Sequence, residues 1–230
     1  MREIVMDTET TGFEPETGDR IVEIGCVELL NHLPTGRTYH QYINPQRDMP
    51  EDAFKVHGLS AEFLSDKPLF AQVAQDFLDF IGDANLVIHN AAFDVKFLNA
   101  ELGWVKKPLI APARAVDTLL IARRRFPGAQ NSLDALCRRF GIDNSKRTLH
   151  GALLDSEILA EVYLELIGGR QPDFGLSAAA STPAQGNVTR SSAWRPQPRP
   201  NPLPTRLTED EAKAHAAFVE KLGPEAAWNS

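Results

Sequence analysis

Over the first 45 residues the apolar positions fall in short runs rich in β-branched and aliphatic side chains, separated by turn residues. The runs predict strands at about 2–10, 21–30 and 38–43, with Gly18 and Asp19 marking the turn before the second. Their close spacing predicts an antiparallel meander. From Ser60 the period changes. Phe70, Val73, Phe77, Leu78 and Ile81 recur near i, i+3, i+4 and i+7 spacing, which predicts an amphipathic helix that begins at Pro68. "NLVIHNA" then reads as a short buried strand, "AFDVKFLNAELGW" as a helix and "ARAVDT" as a fifth strand. Further helices are expected at about 118–126, 132–140 and 153–167. Strands first, then strand and helix in alternation, imply an α/β fold with a mixed sheet flanked by helices.

Beyond Gly168 and Gly169 this patterning stops. Residues 170–206 carry Pro172, Pro183, Pro196, Pro198, Pro200, Pro202 and Pro204 with few aliphatics, and "RPQPRPNPLP" favours polyproline II. The stretch reads as a flexible Pro-rich linker. In 207–230, Thr208 and Glu211 form a capping box and Gly223-Pro224 a stop, so one short C-terminal helix is expected. A single Ala-rich helix buries too little surface to stand alone, so Phe218, Leu222 and Trp228 need a partner surface. The expected division is 1–169, 170–206 and 207–230.

Composition narrows the class. The chain has 230 residues, 43% of them hydrophobic, which suits a globular protein with one sizeable domain. No apolar stretch approaches the roughly 18 residues of a transmembrane helix, so no membrane role is expected. The acids that begin at Asp7 leave no room for a cleavable signal before them. Cys26 and Cys137 read as buried, reduced thiols, which fits the cytoplasm. A net charge of −7 argues against broad electrostatic capture of nucleic acid. It does not exclude an enzyme whose acids surround metal ions.

The first strand ends in "IVMDTETTGF". Residues i and i+2 of a strand share a face, so Asp7 and Glu9 project side by side with Thr8 opposite. Alone, such a pair is a solvated strand end. Three other features add to it. Asp94 sits in the first turn of the helix that leaves "VIHN", and Asp155 sits in the apolar helical pattern "HGALLDSEIL". Burying an unpaired acid there costs several kcal/mol. His150 precedes Asp155 by five residues, roughly 140° around a helix, so the two share a site only if His150 lies on the entry loop. That placement suits proton transfer better than rigid metal ligation.

Four converging carboxylates repel by about 4 kcal/mol per close pair at an effective dielectric near 20. Protonation, a basic partner or a cation would relieve this. No lysine or arginine lies within three positions of Asp7 or Asp155, although Lys96 is near Asp94. All-oxygen donors suit Mg²⁺ or Mn²⁺. Two such ions about 3.5–4 Å apart serve in-line displacement at phosphorus.

The ordered series "DTETTG", "HNAAFD" and "HGALLD" closely resembles the DEDDh exonucleases over residues 1–168, in the form with a histidine five positions before the last acid. The resemblance implies a ribonuclease H-like fold with a mixed five-stranded sheet. It implies that Asp7, Glu9, Asp94 and Asp155 hold two divalent cations, Mg²⁺ or Mn²⁺, and that His150 takes a proton from the attacking water. The terminal phosphodiester of a DNA 3′ end would be cut and a nucleoside monophosphate released. "EDAFKVHGLS" resembles a loop that touches the terminal nucleotide, which makes Asp52 and His57 candidates; for His57 a helix-entry role is the alternative. Thr11, Gly12 and Phe13 would approach the sugar and base, with Phe13 stacking or wedging. Asn90 and Phe93 are substrate-binding candidates with a structural alternative, core in the case of Phe93.

Gln171, Phe174 and Leu176 in "RQPDFGLS" have the spacing of a sliding-clamp hexapeptide. With the linker and tail helix, this resembles the branch of the family formed by the proofreading (epsilon) subunits of bacterial DNA polymerase III. That branch implies a polymerase alpha subunit bound through the tail, with the clamp and a small theta-like subunit as further candidate partners. An RNA-trimming exonuclease and a non-catalytic polymerase-stabilising adaptor remain as alternatives.

Overall fold

In the computed structural model, which describes residues 1–145, 147, 149–169 and 208–222, strand β1 (Arg2–Thr10) is the middle strand of a five-stranded sheet. It pairs antiparallel with β2 (Ile21–Leu30), which pairs antiparallel with β3 (Leu33–Tyr42). On its other side β1 runs parallel to β4 (Asn85–Ile88), and β4 parallel to β5 (Ala115–Asp117). The meander and the mixed sheet form as the sequence predicts.

Two local readings need correction. β3 begins at Leu33, not near 38, because Asn31 and His32 both take positive φ (52° and 66°) and close a two-residue hairpin. Pro34 and Gly36 look like strand breakers, but an edge strand tolerates them, and the register shifts between Val27 and Leu29 to absorb them. The stretch read as a loop, "EDAFKVHGLS", is mostly helical: α1 (Glu51–His57) ends at Gly58 (φ 74°), and α2 (Ala61–Leu64) follows. Pro50 before it, two acids in its first turn and the glycine stop were the available signals. Phe54 and Val56 are exposed, so no buried stripe announced the helix.

Helices cover both faces. α3 (Phe70–Ile81) and α4 (Ala91–Trp104) pack Phe70, Phe77 and Phe97 against Ile4 and Met6. On the other face α5 (Thr118–Arg125), α6 (Leu133–Phe140) and α7 (Ala152–Leu166) pack Leu136, Leu159 and Val162 against Val5 and Val87. Even positions of β1 thus face α4, and odd positions face α7. Asp7 and Glu9 follow Val5 to the α7 side, and Thr8 follows Met6 to the α4 side.

Gly25 decides how close α7 comes. It lies opposite Asp7 in the β1–β2 register, and a Cβ there would sit 2.2 Å from the main chain of Ala152 and Leu153. Ser156 Oγ donates to the Gly25 carbonyl at 3.0 Å. Only with a bare backbone at position 25 can the first turn of α7 press onto the sheet beside β1.

Cys26 and Cys137 are free and buried. Among the described residues no helix is long and apolar enough to cross a membrane. The tail helix α8 (Glu209–Leu222) carries the expected cap: Glu211 N donates to Thr208 Oγ1 at 3.3 Å, and Thr208 N to Glu211 Oε2 at 2.9 Å. The linker 170–206, with Gln171, Phe174 and Leu176, and Trp228 lie outside the described residues.

Candidate active site

The four acids converge at the carboxyl end of β1. Thr8 Oγ1 reaches across to α4 and donates to Asp94 Oδ1 at 2.7 Å, which holds Asp94 at the strand end. Asp155, delivered by the close approach of α7, has a carboxylate oxygen within 4.8 Å of both Glu9 and a ring nitrogen of His150. His150 stands on the loop entering α7, as its spacing from Asp155 required, and its backbone N donates to Val56 O of α1 at 3.0 Å.

The surroundings disfavour the charged form of three of the four acids. Burial, then Asp94, Glu9 and Asp155, push the Asp7 carboxyl well above its usual range. Burial, then Glu23 across the strand pair, raise Glu9 to about 8. Burial raises Asp94 to about 7, against the pull of the Thr8 hydrogen bond. Asp155 alone is lowered: burial works upward, but Arg147 and His150 outweigh it.

Arg147 is the residue that sequence reasoning missed. Its Nε and Nη2 grip Asp155 at 2.6 and 2.8 Å, and Nη1 reaches Asp134 at 3.0 Å. Nη2 also donates to His150 Nδ1 at 2.8 Å. The arginine lies eight positions before Asp155, so proximity in the chain does not reveal the pairing. The nearby candidate, Lys96, pairs with Glu14 instead of Asp94. Of the reliefs weighed for the repulsion, a basic partner is therefore present at Asp155. Yet Arg147 pairs with only one of the four acids: Asp7 and Glu9 stay raised in spite of it, and Asp94 stays raised as well.

The donor set fits divalent ions. Glu9 Oε1 is buried with no hydrogen-bond partner among the described residues. An acceptor left so in a cluster of oxygen donors is what a hard cation satisfies.

Two clefts meet at the acid pair. Glu9 lines the first, of about 610 Å³, with residues 10–14, Asp52, His57 and Phe93. Phe13 is 83% exposed, its ring edge-on to Phe93 at 6.4 Å. Phe93 packs against the core through Phe97 at 5.0 Å and still faces this cleft. A Cβ on Gly12 would meet the Asp19 carboxylate at 2.4 Å, and the Thr11 hydroxyl bonds Asp19 and Arg20, so both hold the turn that forms the wall. His57 is buried at the end of α1, not at a helix entry; its Nδ1 accepts from Leu59 N, and burial lowers its pKa. Asp52 is fully exposed at the rim. Asp7 lines the second cleft, of about 560 Å³, together with Asp155, His150 and Asn90. Asn90 heads α4 at φ 72°.

A family model described as "Exonuclease" matches residues 4–163. The chain belongs to this exonuclease family. Two relatives are similar over nearly the whole chain. DNA polymerase III subunit epsilon of Rickettsia conorii is 49% identical over 228 residues, covering 96% of each chain. The protein of the same name from Escherichia coli is 44% identical over 239 residues, covering all of this chain and 98% of its own. Among solved structures, the nuclease domain of 3′hExo, a DEDDh family member, superposes with a TM-score of 0.61 at 21% identity, covering 72% of this chain and 91% of that one. The ribonuclease H-like exonuclease fold expected from the motifs is the fold found, and the chain is an exonuclease.

Proposed function

We propose that this exonuclease is the 3′→5′ proofreading subunit, of the epsilon class, of a bacterial DNA polymerase III. The observation that carries the reading is the meeting of Asp7, Glu9, Asp94 and Asp155, from β1, α4 and α7, around an unsatisfied Glu9 oxygen. The end-to-end similarity to epsilon subunits supports the substrate class.

The four acids would hold two Mg²⁺ or Mn²⁺ ions. Such ions, when bound, make water a nucleophile near neutral pH and stabilise charge developing at phosphorus. His150 takes the proton from the attacking water, and the bond from phosphorus to the 3′-oxygen of the preceding nucleotide breaks. Arg147 and the Val56 carbonyl fix the loop that carries His150. Phe13 and Phe93 offer aromatic faces to the terminal base; Thr11 and Gly12 shape the wall beside its sugar, and Asp52, His57 and Asn90 border the site. Incubation with 3′-labelled DNA and RNA tests this: monophosphates should appear faster from DNA, and a chelator should stop their release. Faster trimming of RNA would favour the RNA-processing alternative, and no release would leave the adaptor.

The division into residues 1–169, 170–206 and 207–230 belongs to the same proposal. The tail grips a polymerase alpha subunit through Phe218, Leu222 and Trp228; Phe218 is 56% exposed on α8. Gln171, Phe174 and Leu176 would engage a sliding clamp, and a small theta-like subunit would complete the assembly in the cytoplasm. Tethering raises the effective concentration at the primer end, so weak affinity for free DNA suffices in a chain of net charge −7. Removal of residues 207–230 should end co-purification with the polymerase while single-strand cleavage continues. Undiminished co-purification of the truncated chain would overturn the tail assignment.

A further inference from the structure

The chemistry assigns the two clefts to opposite sides of the bond being cut. A released 5′-monophosphate keeps its phosphorus, so the terminal nucleotide stays with the aromatic cleft and the 3′-oxygen of its neighbour departs. The departing strand must then lie on the other side of Asp7 and Glu9. That side is the second cleft, which runs from Asp7, Asp155 and His150 to α5 and the turn before α6. Leu119 and Leu133 give it an apolar flank suited to a sugar or base edge, and Arg123, one turn beyond Leu119, lines the same cleft.

Among the described residues, Arg123 and Arg147 are the arginines that line this cleft. Arg125 donates to the Leu166 carbonyl at 2.8 Å, and Arg139 lies over the Phe126 ring at 4.3 Å. Arg147 is held by Asp155 and Asp134. Arg123 is exposed and, among the described residues, has no carboxylate within ion-pairing distance. A free guanidinium at the end of a cleft floored by acids offsets their repulsion of an approaching polyanion.

We propose that this cleft is the subsite for the nucleotide on the 5′ side of the scissile bond, with Arg123 contacting its phosphate. The inference rests on the exonuclease reading above. The test uses the full chain with Mn²⁺ and two substrates: a single-stranded DNA hexamer, and the p-nitrophenyl ester of thymidine 5′-monophosphate, which has no upstream phosphate. The quantity read is the ratio of kcat/KM on the hexamer to kcat/KM on the ester. Arg123→Gln should lower it roughly 5- to 20-fold, mainly through KM, and Arg123→Glu should lower it further. The salt dependence of hexamer cleavage should become shallower by about 0.7 in the log–log slope. A ratio held within twofold in both variants overturns the subsite, as does an equal loss on both substrates. If the wild-type chain hydrolyses neither substrate, the exonuclease reading itself fails and the subsite falls with it.

Discussion

Alanine at both Asp7 and Glu9 should abolish hydrolysis, by about 10⁴-fold or more, while the metal-free chain becomes more stable rather than less. On the proposed metal assignment, activity should fall because the ions that would activate water and bind the developing charge lose two of their four ligands. Stability should rise because Asp7 and Glu9 are buried and, next to that, are unfavourable neighbours of the other acids. Glu9 and Asp94 hold protons in the folded chain to about pH 8 and 7, against roughly 4.3 and 3.9 when unfolded. Between those limits the native state binds more protons than the unfolded state. Stability of the chelated wild type should therefore fall as pH rises from about 5 to 8. The double variant should show a flatter slope, with a melting temperature about 2–4 °C higher at pH 8 for each kcal/mol of repulsion removed. Added Mn²⁺ should restore the wild type and leave the variant unchanged. Thermal melts in chelator and in Mn²⁺ across this range, beside cleavage of labelled DNA, give all of these quantities. Retained cleavage, or a wild-type stability that climbs with pH, would refute the metal assignment.

The second large effect is expected at His150. His150→Ala should lower kcat roughly 10²- to 10⁴-fold, the usual contribution of a positioned general base. The substitution spares the backbone bond from position 150 to Val56 O and the grip of Arg147 on Asp155, so the loop and the acids should keep their places. Mn²⁺ affinity should accordingly change little while the rate collapses. Single-turnover cleavage from pH 6 to 9 separates the two roles: the wild-type rate should climb with pH and the variant should lose that limb. A wild-type rate flat across the range would argue against proton transfer by this ring. A large loss of Mn²⁺ binding in the variant would mark it as a ligand instead.

Much of this site was legible before any coordinates. The alternation of a strand placed Asp7 and Glu9 on one face, and the odd positions of β1 do share the α7 side. The five-residue gap between His150 and Asp155 put the histidine on an entry loop, where it stands. Helix α3 was written in its apolar spacing, and α8 in its capping box. Helix α1 was not, because its apolar residues face solvent and leave no periodic stripe. The strand status of residues 33–37 was obscured by Pro34 and Gly36, whose effect depends on whether a strand is central or at the edge.

Sequence alone determined which side chains could do this chemistry, since local backbone periods and motif order act over a few residues. Tertiary structure decided what those side chains meet. It set Glu23 against Glu9, brought Arg147 onto Asp155, and let α7 descend at Gly25. It also opened separate clefts on the two sides of the acid pair. The physical reason is that charge and burial act through space, so the cost and compensation of each carboxylate depend on neighbours that chain distance does not reveal.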